Sequence, residues 1–324
     1  MRILFTGTSS FTGFWFIRQL AAAGHEVHAV LQHPLTKYQE IRGERVALLR
    51  QEASVTLHEQ ISFGTPAFKE LIGAFKEWDQ LSHHGAQVTH YRSPDFDPLQ
   101  ALQTNTLELE PVLQLLRAKG CRRMVLTGSV FEGDAGLGPD SERSFSPYGL
   151  SKKLTCDYAR FYCERAGFSL GQFVIPNPFG PYEEARFTRH LMQQWSEGHT
   201  PVVHVPRYIR DNIHVSLLAK AYVYFCEQLS STSGFQRWGP CGYVESQGAF
   251  SQRFAREMSR RLDWDCPLTL LEQTEFPEPY MRVNTDPVEG WLPGWSSSQE
   301  TEAWNALAEY YANRLQRKAM GASS

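Results

Sequence analysis

Two side chains suited to acid–base chemistry, Tyr148 and Lys152, lie four residues apart in the segment SPYGLSKK. Positions i and i+4 of a helix share one face, about 6 Å apart, so a helix here would place the phenol beside the ammonium. A neighbouring cation stabilises a phenolate and lowers the phenol pKa from about 10. Such a base can take the hydroxyl proton when an alcohol loses hydride. Because an isolated pair of this kind is usually a surface contact, its meaning depends on the elements around it.

A second candidate site is the N-terminal segment TGTSSFTG, which leads from an apolar strand directly into a helix. Gly7 permits a tight turn, Gly13 lets helix and strand approach closely, and a helix N-terminus offers free N–H groups to a pyrophosphate. An ordinary strand-to-helix turn would have a similar composition. Its place on the first strand of a strand–helix series favours a phosphate cradle.

Strands and helices alternate along the first half of the chain. We predict strands at 3–5, 27–31 and 123–127, a further strand-like stretch at 80–84, and helices at 13–23, 67–76 and 102–119, with Pro111 a candidate kink. This alternation predicts right-handed βαβ crossovers and an α/β, Rossmann-type, doubly wound parallel sheet. Many prolines follow residue 175, so we expect a dinucleotide-binding domain over 1–175 and a smaller, loop-rich substrate lobe over 176–324, partly interleaved with the first.

Composition excludes several classes of function. The 324 residues carry a net charge of −3, and lysines and arginines are not clustered among aromatics, so we expect no nucleic-acid partner. No stretch approaches the ~18 apolar residues of a membrane span, so we expect no membrane partner. The six cysteines are scattered without a CxxC motif. That pattern favours reduced thiols, a cytoplasmic location and no metal site.

The glycine turn and the Tyr-x-x-x-Lys pair together resemble the extended short-chain dehydrogenases/reductases, the NAD-dependent epimerase/dehydratase family. The turn is similar to the TGxxGxxG loop of that family, with Ser10 in place of the middle glycine. The Ser10 hydroxyl can donate a hydrogen bond to a phosphate. The resemblance implies an NAD or NADP cofactor. It also implies that Tyr148 is the catalytic base and that Lys152 assists it and hydrogen-bonds the nicotinamide ribose.

The same resemblance implies a catalytic hydroxyl at the end of the strand over 123–127. The family commonly has Ser or Thr five residues before the glycine of a VYG-like triplet. Here residues 131–133 read FEG, and five residues back is Gly128. We favour Ser129 as the hydroxyl that holds the substrate oxygen, with Thr127 as the alternative.

Cofactor contacts are also implied by resemblance, since WDQLSHHGA at 78–86 is similar to the family's strand ending in His-x-Ala-Ala. The expected cofactor-binding residues are Gly7, Ser9, Ser10, Phe11, Thr12, Gly13, Gln32, His33, His84, Gly85, Ala86, Asn105, Thr127, Tyr148 and Lys152. The choice between NAD and NADP stays open. Residues 30–34 read VLQHP, without the acid that would bind a ribose 2′-hydroxyl and without an arginine directly after the strand to bind a 2′-phosphate.

The expected substrate is a nucleotide sugar, again by resemblance. Asn177 lies in VIPNPFGP, which is similar to the family's RxxNxYGP element, and Arg210 lies in IRDNIHV, which resembles RDFxHV. A guanidinium binds two oxygens of a diphosphate, so Arg210 is the expected clamp. Arg282 is a candidate for a second one.

The residues directly after Ser129 narrow the reaction class. Dehydratases of the family carry an acid just after that hydroxyl, whereas Val130 and Phe131 cannot transfer a proton, and Glu132 and Asp134 are displaced. An epimerase that oxidises a sugar hydroxyl transiently to a ketone is the preferred function. A nucleotide-sugar or other carbonyl reductase is the alternative, and a cofactor-binding regulatory protein without turnover is a third hypothesis.

Relatives of this type often dimerise through two helices per subunit. The corresponding candidates here are the helices at 102–119 and 148–166, with Leu150, Phe161 and Tyr162 on the shared face. A homodimer is therefore expected by resemblance.

Overall fold

Seven parallel strands form the central sheet of the computed structural model, which describes residues 1–133, 143–232, 234–288, 292 and 295–321, with side chains up to residue 315. In spatial order the strands are β10 (Gly234–Trp238), β6 (Ser169–Ile175), β5 (Arg123–Ser129), β4 (Gln80–His83), β1 (Arg2–Thr6), β2 (Glu26–Val30) and β3 (Val55–His58). The direction of the winding reverses between β1 and β4. Ligands of open α/β sheets bind outside the strand ends at such a point. The predicted doubly wound fold is confirmed.

Helices cover both faces of this sheet and build the C-terminal lobe. They are α1 (Phe11–Ala22), α2 (Glu40–Leu49), α3 (Pro66–Ala74), α4 (Pro98–Asn105), α5 (Leu109–Ala118), α6 (Pro147–Ala166), α7 (Phe187–Ser196), α8 (Val215–Gln228), α9 (Gln247–Leu262) and α10 (Ser297–Gly321), besides a 3₁₀ turn at Leu35–Lys37. Helices α1 and α8 share one core with the sheet, in which Phe16 and Tyr222 stack at 4.0 Å. Residues of α3, α5 and α6 form a second core on the opposite face.

The stretch predicted as a single helix over 102–119 is two helices, and this prediction was wrong. Helix α4 ends at Asn105 and α5 begins at Leu109, with Glu108 between them in the left-handed region at φ 51°. Pro111 is the third residue of α5, where its missing N–H breaks no intrahelical bond. The chain therefore breaks before the proline rather than bending at it. Helix α2 and strand β3 were not predicted at all.

The second half of the chain contributes to both parts of the molecule. Strand β10 pairs with β6 in the main sheet, whereas α7, α9 and α10 pack around a separate core that contains Phe179, Phe254 and Trp304. The remaining strands are β7 (Asn177–Phe179), β8 (Val202–Val203), β9 (Ile209–His214), β11 (Pro240–Cys241), β12 (Tyr243–Ser246), β13 (Thr269–Leu270), β14 (Met281–Arg282) and β15 (Asp286–Pro287). Strand β9 joins β7, β12 and β14 beside the carboxyl end of the main sheet.

The part of the chain that the structure describes has no helix long and apolar enough to cross a bilayer. Within the same residues, no three His, Cys, Asp or Glu side chains are grouped as a metal site. None of the six cysteines, all of which lie in the described part of the chain, forms a disulfide, and four of them are buried.

Candidate active site

The glycines of the N-terminal turn have steric reasons to be glycine. Gly7 has φ +80°, and a Cβ there would lie 2.7 Å from the backbone nitrogen of Gly85. A Cβ on Gly13 would lie 2.3 Å from the Gly7 carbonyl oxygen. The turn therefore packs directly against the segment after β4, and neither position accepts a side chain.

Ser10 uses its hydroxyl within the turn. Its Oγ accepts the Gly13 N–H at 3.0 Å as the N-cap of α1, and it lies 2.9 Å from the Gly7 carbonyl oxygen and 3.0 Å from His84 Nε2. These contacts leave no free donor, so the expectation that Ser10 would donate to a phosphate does not fit this geometry. Among the described residues, the backbone N–H groups of Phe11 and Thr12 have no partner. Two open amides at the start of a twelve-residue helix fit a pyrophosphate.

His84 connects the turn to the catalytic strand. Its Nε2 lies 3.1 Å from Thr12 Oγ1 and its Nδ1 lies 2.8 Å from Thr127 Oγ1. The ring packs within 5.7 Å of Phe5 and 5.3 Å of Phe16. Burial lowers its pKa to about 3, so the imidazole is neutral at physiological pH. His84 therefore supports the turn from beneath.

The remaining residues of this segment are also tied to the protein. Gly85 N donates to Thr6 Oγ1 at 2.9 Å, which fixes the segment against β1. Ala86, the next residue, is half-buried. Ser9, in the N-terminal turn, is also half-buried. Asn105, at the end of α4, is buried, and its Oδ1 accepts the Gln87 N–H at 2.8 Å. This hydrogen bond shows that Asn105 fixes the backbone of the segment after β4.

The end of β2 contains a feature that the sequence did not predict. Gln32 and His33 are exposed there. The carboxylate of Glu59, from the end of β3, accepts the Leu35 N–H at 2.6 Å. A carboxylate therefore reaches this region from the neighbouring strand, although none follows β2 in sequence. Its charge would disfavour a 2′-phosphate nearby.

The catalytic candidates meet where α6 begins beside the end of β5. Ser146 caps the helix by accepting the Gly149 N–H at 3.1 Å, which places Tyr148 in the first turn. The Lys152 ammonium donates to the Thr127 carbonyl oxygen at 2.5 Å, and burial lowers its pKa. The Ser129 hydroxyl lies near enough to the Tyr148 hydroxyl to lower the pKa of the phenol. Of the two candidate hydroxyls, Ser129 contacts the phenol, whereas that of Thr127 faces His84.

The electrostatics around Tyr148 differ from what the spacing predicts. Burial raises the pKa of Tyr148 above its usual range, and the charge of Glu132 and the neighbouring Tyr91 raise it further. The hydrogen bond from Ser129 and the charge of Arg186 act in the opposite direction. The structure thus holds the phenol in its protonated form, whereas the sequence predicted a phenol with a lowered pKa.

Aromatic side chains enclose the phenol, and sequence reasoning missed them. Ring centroids of Tyr91, Phe131 and Phe96 lie 5.1, 5.8 and 6.0 Å from that of Tyr148. Phe145 stacks on Phe131 at 5.1 Å. Tyr91 and Phe96 follow the carboxyl end of β4, which is the available sequence signal, because such segments line the ligand crevice.

The two predicted substrate arginines differ in availability. Arg210 is buried, and its hydrogen bonds go to the Ile209, Pro279 and Tyr280 carbonyl oxygens at 2.9, 3.2 and 3.3 Å and to Glu278 at 2.9 Å. Both terminal nitrogens of its guanidinium are therefore already engaged. Asn177 also has a partner, since its Nδ2 donates to the Asp211 carbonyl oxygen at 3.2 Å.

Arg282 has unused capacity. Its guanidinium carbon lies 3.8 Å from the ring centroid of Phe131 and 5.3 Å from that of Phe145. Only Nη2 has a partner among the described residues, Glu278 at 3.5 Å, while Nε and Nη1 are buried without one. Burial and the neighbouring Arg210 lower its pKa to about 10. A buried cation with two open nitrogens beside the aromatic enclosure is suited to an anionic ligand.

The structure thus brings the turn, His84, Thr127, Ser129, Tyr148 and Lys152 together at the switch point of the sheet. Arg210 and Arg282 share Glu278 on the side formed by β9 and β14. Gln32 and His33 lie apart, at the end of β2. Asp134, one of the displaced acids, lies outside the described residues.

Comparison with known proteins adds a family context. The model of the NAD dependent epimerase/dehydratase family matches residues 3–236. A search of curated protein sequences finds no significant match.

Several solved structures are similar over almost the whole chain. UDP-N-acetylglucosamine 4-epimerase from Methanobrevibacter ruminantium M1, in complex with UDP-N-acetylmuramic acid, is 16% identical with a TM-score of 0.74, covering 97% of this chain and 98% of that one. UDP-glucuronic acid 4-epimerase from Bacillus cereus is 15% identical with a TM-score of 0.73, covering 97% and 99%. UDP-glucose 4-epimerase from Thermotoga maritima is 18% identical with a TM-score of 0.71, covering 97% and 100%. At such identities the likeness establishes the fold.

Proposed function

Since the chain belongs to the NAD dependent epimerase/dehydratase family, we propose that it is an NAD(P)-dependent nucleotide-sugar epimerase. The family match confirms the resemblance to extended short-chain dehydrogenases/reductases drawn from the glycine turn and the Tyr-x-x-x-Lys pair. The single observation that carries the proposal is the placement of Tyr148 and Lys152 one helical turn apart at the start of α6, where Lys152 donates to the Thr127 carbonyl oxygen near the end of β5.

These residues can accept the proton of a sugar hydroxyl and return it. Ser129 would hold the substrate oxygen against Tyr148. After losing its own proton to solvent, Tyr148 would accept the hydroxyl proton as a phenolate while that carbinol becomes a ketone. When bound, the nicotinamide cofactor supplies acceptance and return of hydride. Lys152 would hold positive charge beside the phenol, and the Phe11 and Thr12 amides would hold the cofactor pyrophosphate. Return of hydride to the opposite face of the sugar gives the epimer.

A nucleotide sugar is the substrate class that the cation at Arg282 supports. Its buried, partly unpartnered guanidinium needs an anion, which a sugar linked through a diphosphate provides. The similar structures include enzymes named for UDP-glucose, UDP-N-acetylglucosamine and UDP-glucuronic acid. Asn177 and Arg210 lie on the same side of the proposed substrate site. Arg210 would act indirectly, because it binds Glu278, which also contacts Arg282.

Carbonyl reduction is a second candidate, and one observation favours it. The raised pKa keeps Tyr148 protonated, which is the state that donates a proton to a carbonyl oxygen during reduction. An NAD(P)H-dependent reductase would use the same Ser129 and Lys152. The two functions differ in whether the cofactor is consumed.

The test uses purified protein and a panel of UDP- and dTDP-sugars, with added NAD or NADP in oxidised and reduced form. Epimer formation without net change in nicotinamide absorbance supports the epimerase, whereas stoichiometric oxidation of NADH or NADPH supports the reductase. Tyr148→Phe should abolish either activity, and Tyr224→Phe, on α8, should not. Cofactor binding without turnover of any sugar would leave the regulatory protein as the better hypothesis.

A homodimer and a cytoplasmic location are part of the same proposal. Helices α5 and α6 leave Leu115, Leu150, Tyr158 and Phe161 exposed, which is the face expected to pair with a second copy. Tyr162 is partly buried against the core. Six cysteines without a disulfide among the described residues agree with a reducing compartment. A monomer mass by light scattering at micromolar protein would exclude the dimer.

A further inference from the structure

A buried carboxylate lies directly behind the catalytic hydroxyl. Glu132 is 2% exposed and belongs to the turn that follows β5. Its Oε1 accepts the backbone N–H of Ser129 at 2.6 Å, and its Oε2 accepts Gln172 Nε2 from β6 at 2.6 Å. The Glu132 N–H donates to the Ser129 carbonyl oxygen at 3.0 Å. Glu132 therefore holds Ser129 by both its side chain and its backbone.

The carboxylate also explains why the hydroxyl is at 129 rather than 128. A Cβ on Gly128 would lie 3.0 Å from Glu132 Oε1, 3.0 Å from Gln172 Nε2 and 3.2 Å from Val174 Cγ2. A side chain at residue 128 would therefore require Glu132 or Gln172 to shift. The hydroxyl that contacts Tyr148 comes instead from the next residue.

The charge of Glu132 acts on both catalytic partners. It raises the pKa of Lys152, against the lowering by burial, and therefore favours the ammonium. It also raises the pKa of Tyr148 and so favours the neutral phenol. The polar and charged groups that act on Tyr148 are Glu132 and Ser129 from the end of β5, Tyr91 from the segment after β4 and Arg186 from the segment before α7. Glu132 is the carboxylate of this set.

We propose that Glu132 is a positioning residue that fixes Ser129 against Tyr148 and, through its buried charge, keeps Lys152 as an ammonium and Tyr148 as a phenol. The catalytic meaning of this inference rests on the proposed function. The electrostatic coupling does not, because it exists in the protein alone.

The experiment is a titration of protein labelled with ¹³Cζ-tyrosine, which needs neither substrate nor cofactor. Loss of one signal in Tyr148→Phe identifies Tyr148. In Glu132→Gln, the side chain keeps its shape and loses its charge, so the Tyr148 signal should begin to titrate lower by on the order of one pH unit. Glu164→Gln, which removes an exposed carboxylate from α6, is the matched control and should leave the titration unchanged. Equal titration in wild type and Glu132→Gln would overturn the inference.

A second variant separates position from charge. Gln172→Met removes the amide that holds Oε2 and keeps the carboxylate. We expect maximal turnover to fall about tenfold while Tyr148 titrates as in wild type. Unchanged turnover would refute the positioning role even if Glu132→Gln does not fold. Absence of turnover in wild type, by contrast, would refute the proposed function and leave the titration result standing.

Discussion

Replacing Arg282 by methionine should stabilise the protein and weaken its binding of nucleotide sugars at the same time. The guanidinium is 5% exposed, and two of its nitrogens have no partner among the described residues. Burial and the neighbouring Arg210 lower its pKa from 12.5 to about 10, and this shift corresponds to about 3 kcal/mol of unfavourable free energy for the charged form. Contact with Phe131 at 3.8 Å offsets about 2 kcal/mol of that cost. The net expectation is a gain of about 1 kcal/mol in the free energy of unfolding.

The same change removes the cation that we assign to the substrate. A hydrogen bond to a charged group contributes about 1.5–3 kcal/mol, so affinity for a nucleotide sugar should fall by about ten- to a hundredfold. Denaturant unfolding measures the first effect and isothermal titration calorimetry with UDP-sugars measures the second. Arg210→Met is the matched comparison. Because it removes the four hydrogen bonds that the buried guanidinium makes to Glu278 and three carbonyl oxygens, it should destabilise the protein by about 2 kcal/mol.

A less stable Arg282→Met variant with wild-type affinity would refute this reasoning. It would mean that the guanidinium is satisfied in the free protein and does not face the ligand. Loss of stability together with loss of affinity would point to a packing role against Phe131 and Phe145 instead.

Three further changes test other parts of the structure. Gly7→Ala introduces a Cβ 2.7 Å from Gly85 N at a position where φ is +80°. We therefore expect the free energy of unfolding to fall by about 2 kcal/mol and cofactor affinity to decrease, as measured by denaturation and calorimetry. Gly73→Ala, where a Cβ would have no neighbour within 4 Å, is the control. Glu183 is buried against Thr188 and Tyr311, and burial raises its pKa from 4.5 to about 7. Ionisation of Glu183 therefore opposes folding as pH rises between these values. We expect Glu183→Gln to be more stable than wild type by up to about 3 kcal/mol at pH 8 and equally stable below pH 4.5. Equal stability of the two proteins at pH 8 would count against the buried charge. Phe161 is 53% exposed on α6, and Phe161→Glu should convert a dimer into a monomer by light scattering without loss of helical content; an unchanged mass would place the interface elsewhere.

The parts of the site that the sequence predicted depend on short-range spacing. The turn between Gly7 and Gly13 and the pair Tyr148–Lys152 each lie within one local element, so periodicity and residue type suffice to recognise them. Contacts between distant segments were not accessible in this way. Ser10 meets His84 across 74 residues, and Glu132 meets Gln172 across 40. Only the order of the strands brings such pairs together.

The electrostatic state of Tyr148 is the clearest case of this difference. Spacing alone predicts that Lys152 lowers the phenol pKa, because i, i+4 neighbours on a helix interact. The fold adds Glu132, Tyr91 and the burial of the ring, and together these act in the opposite direction. A sequence pattern therefore predicts which residue is the base, whereas its protonation state depends on the tertiary enclosure.

Two of the departures from the family pattern are each matched by a second side chain that occupies the altered space. Ser10 replaces a glycine, and its hydroxyl is taken up by the Gly13 N–H and by His84, whose other nitrogen bonds Thr127. Gly128 replaces a hydroxyl, and Glu132 occupies the space beside it. Both compensations end on β5, the strand that presents the Ser129 hydroxyl to the phenol. Departures that had merely accumulated after loss of function would leave cavities or unpaired polar groups. Here Ser10 is hydrogen-bonded through His84 to Thr127, and Glu132 is hydrogen-bonded to the Ser129 N–H. That coupling favours an enzyme with an altered but maintained site over a protein that retains only the fold.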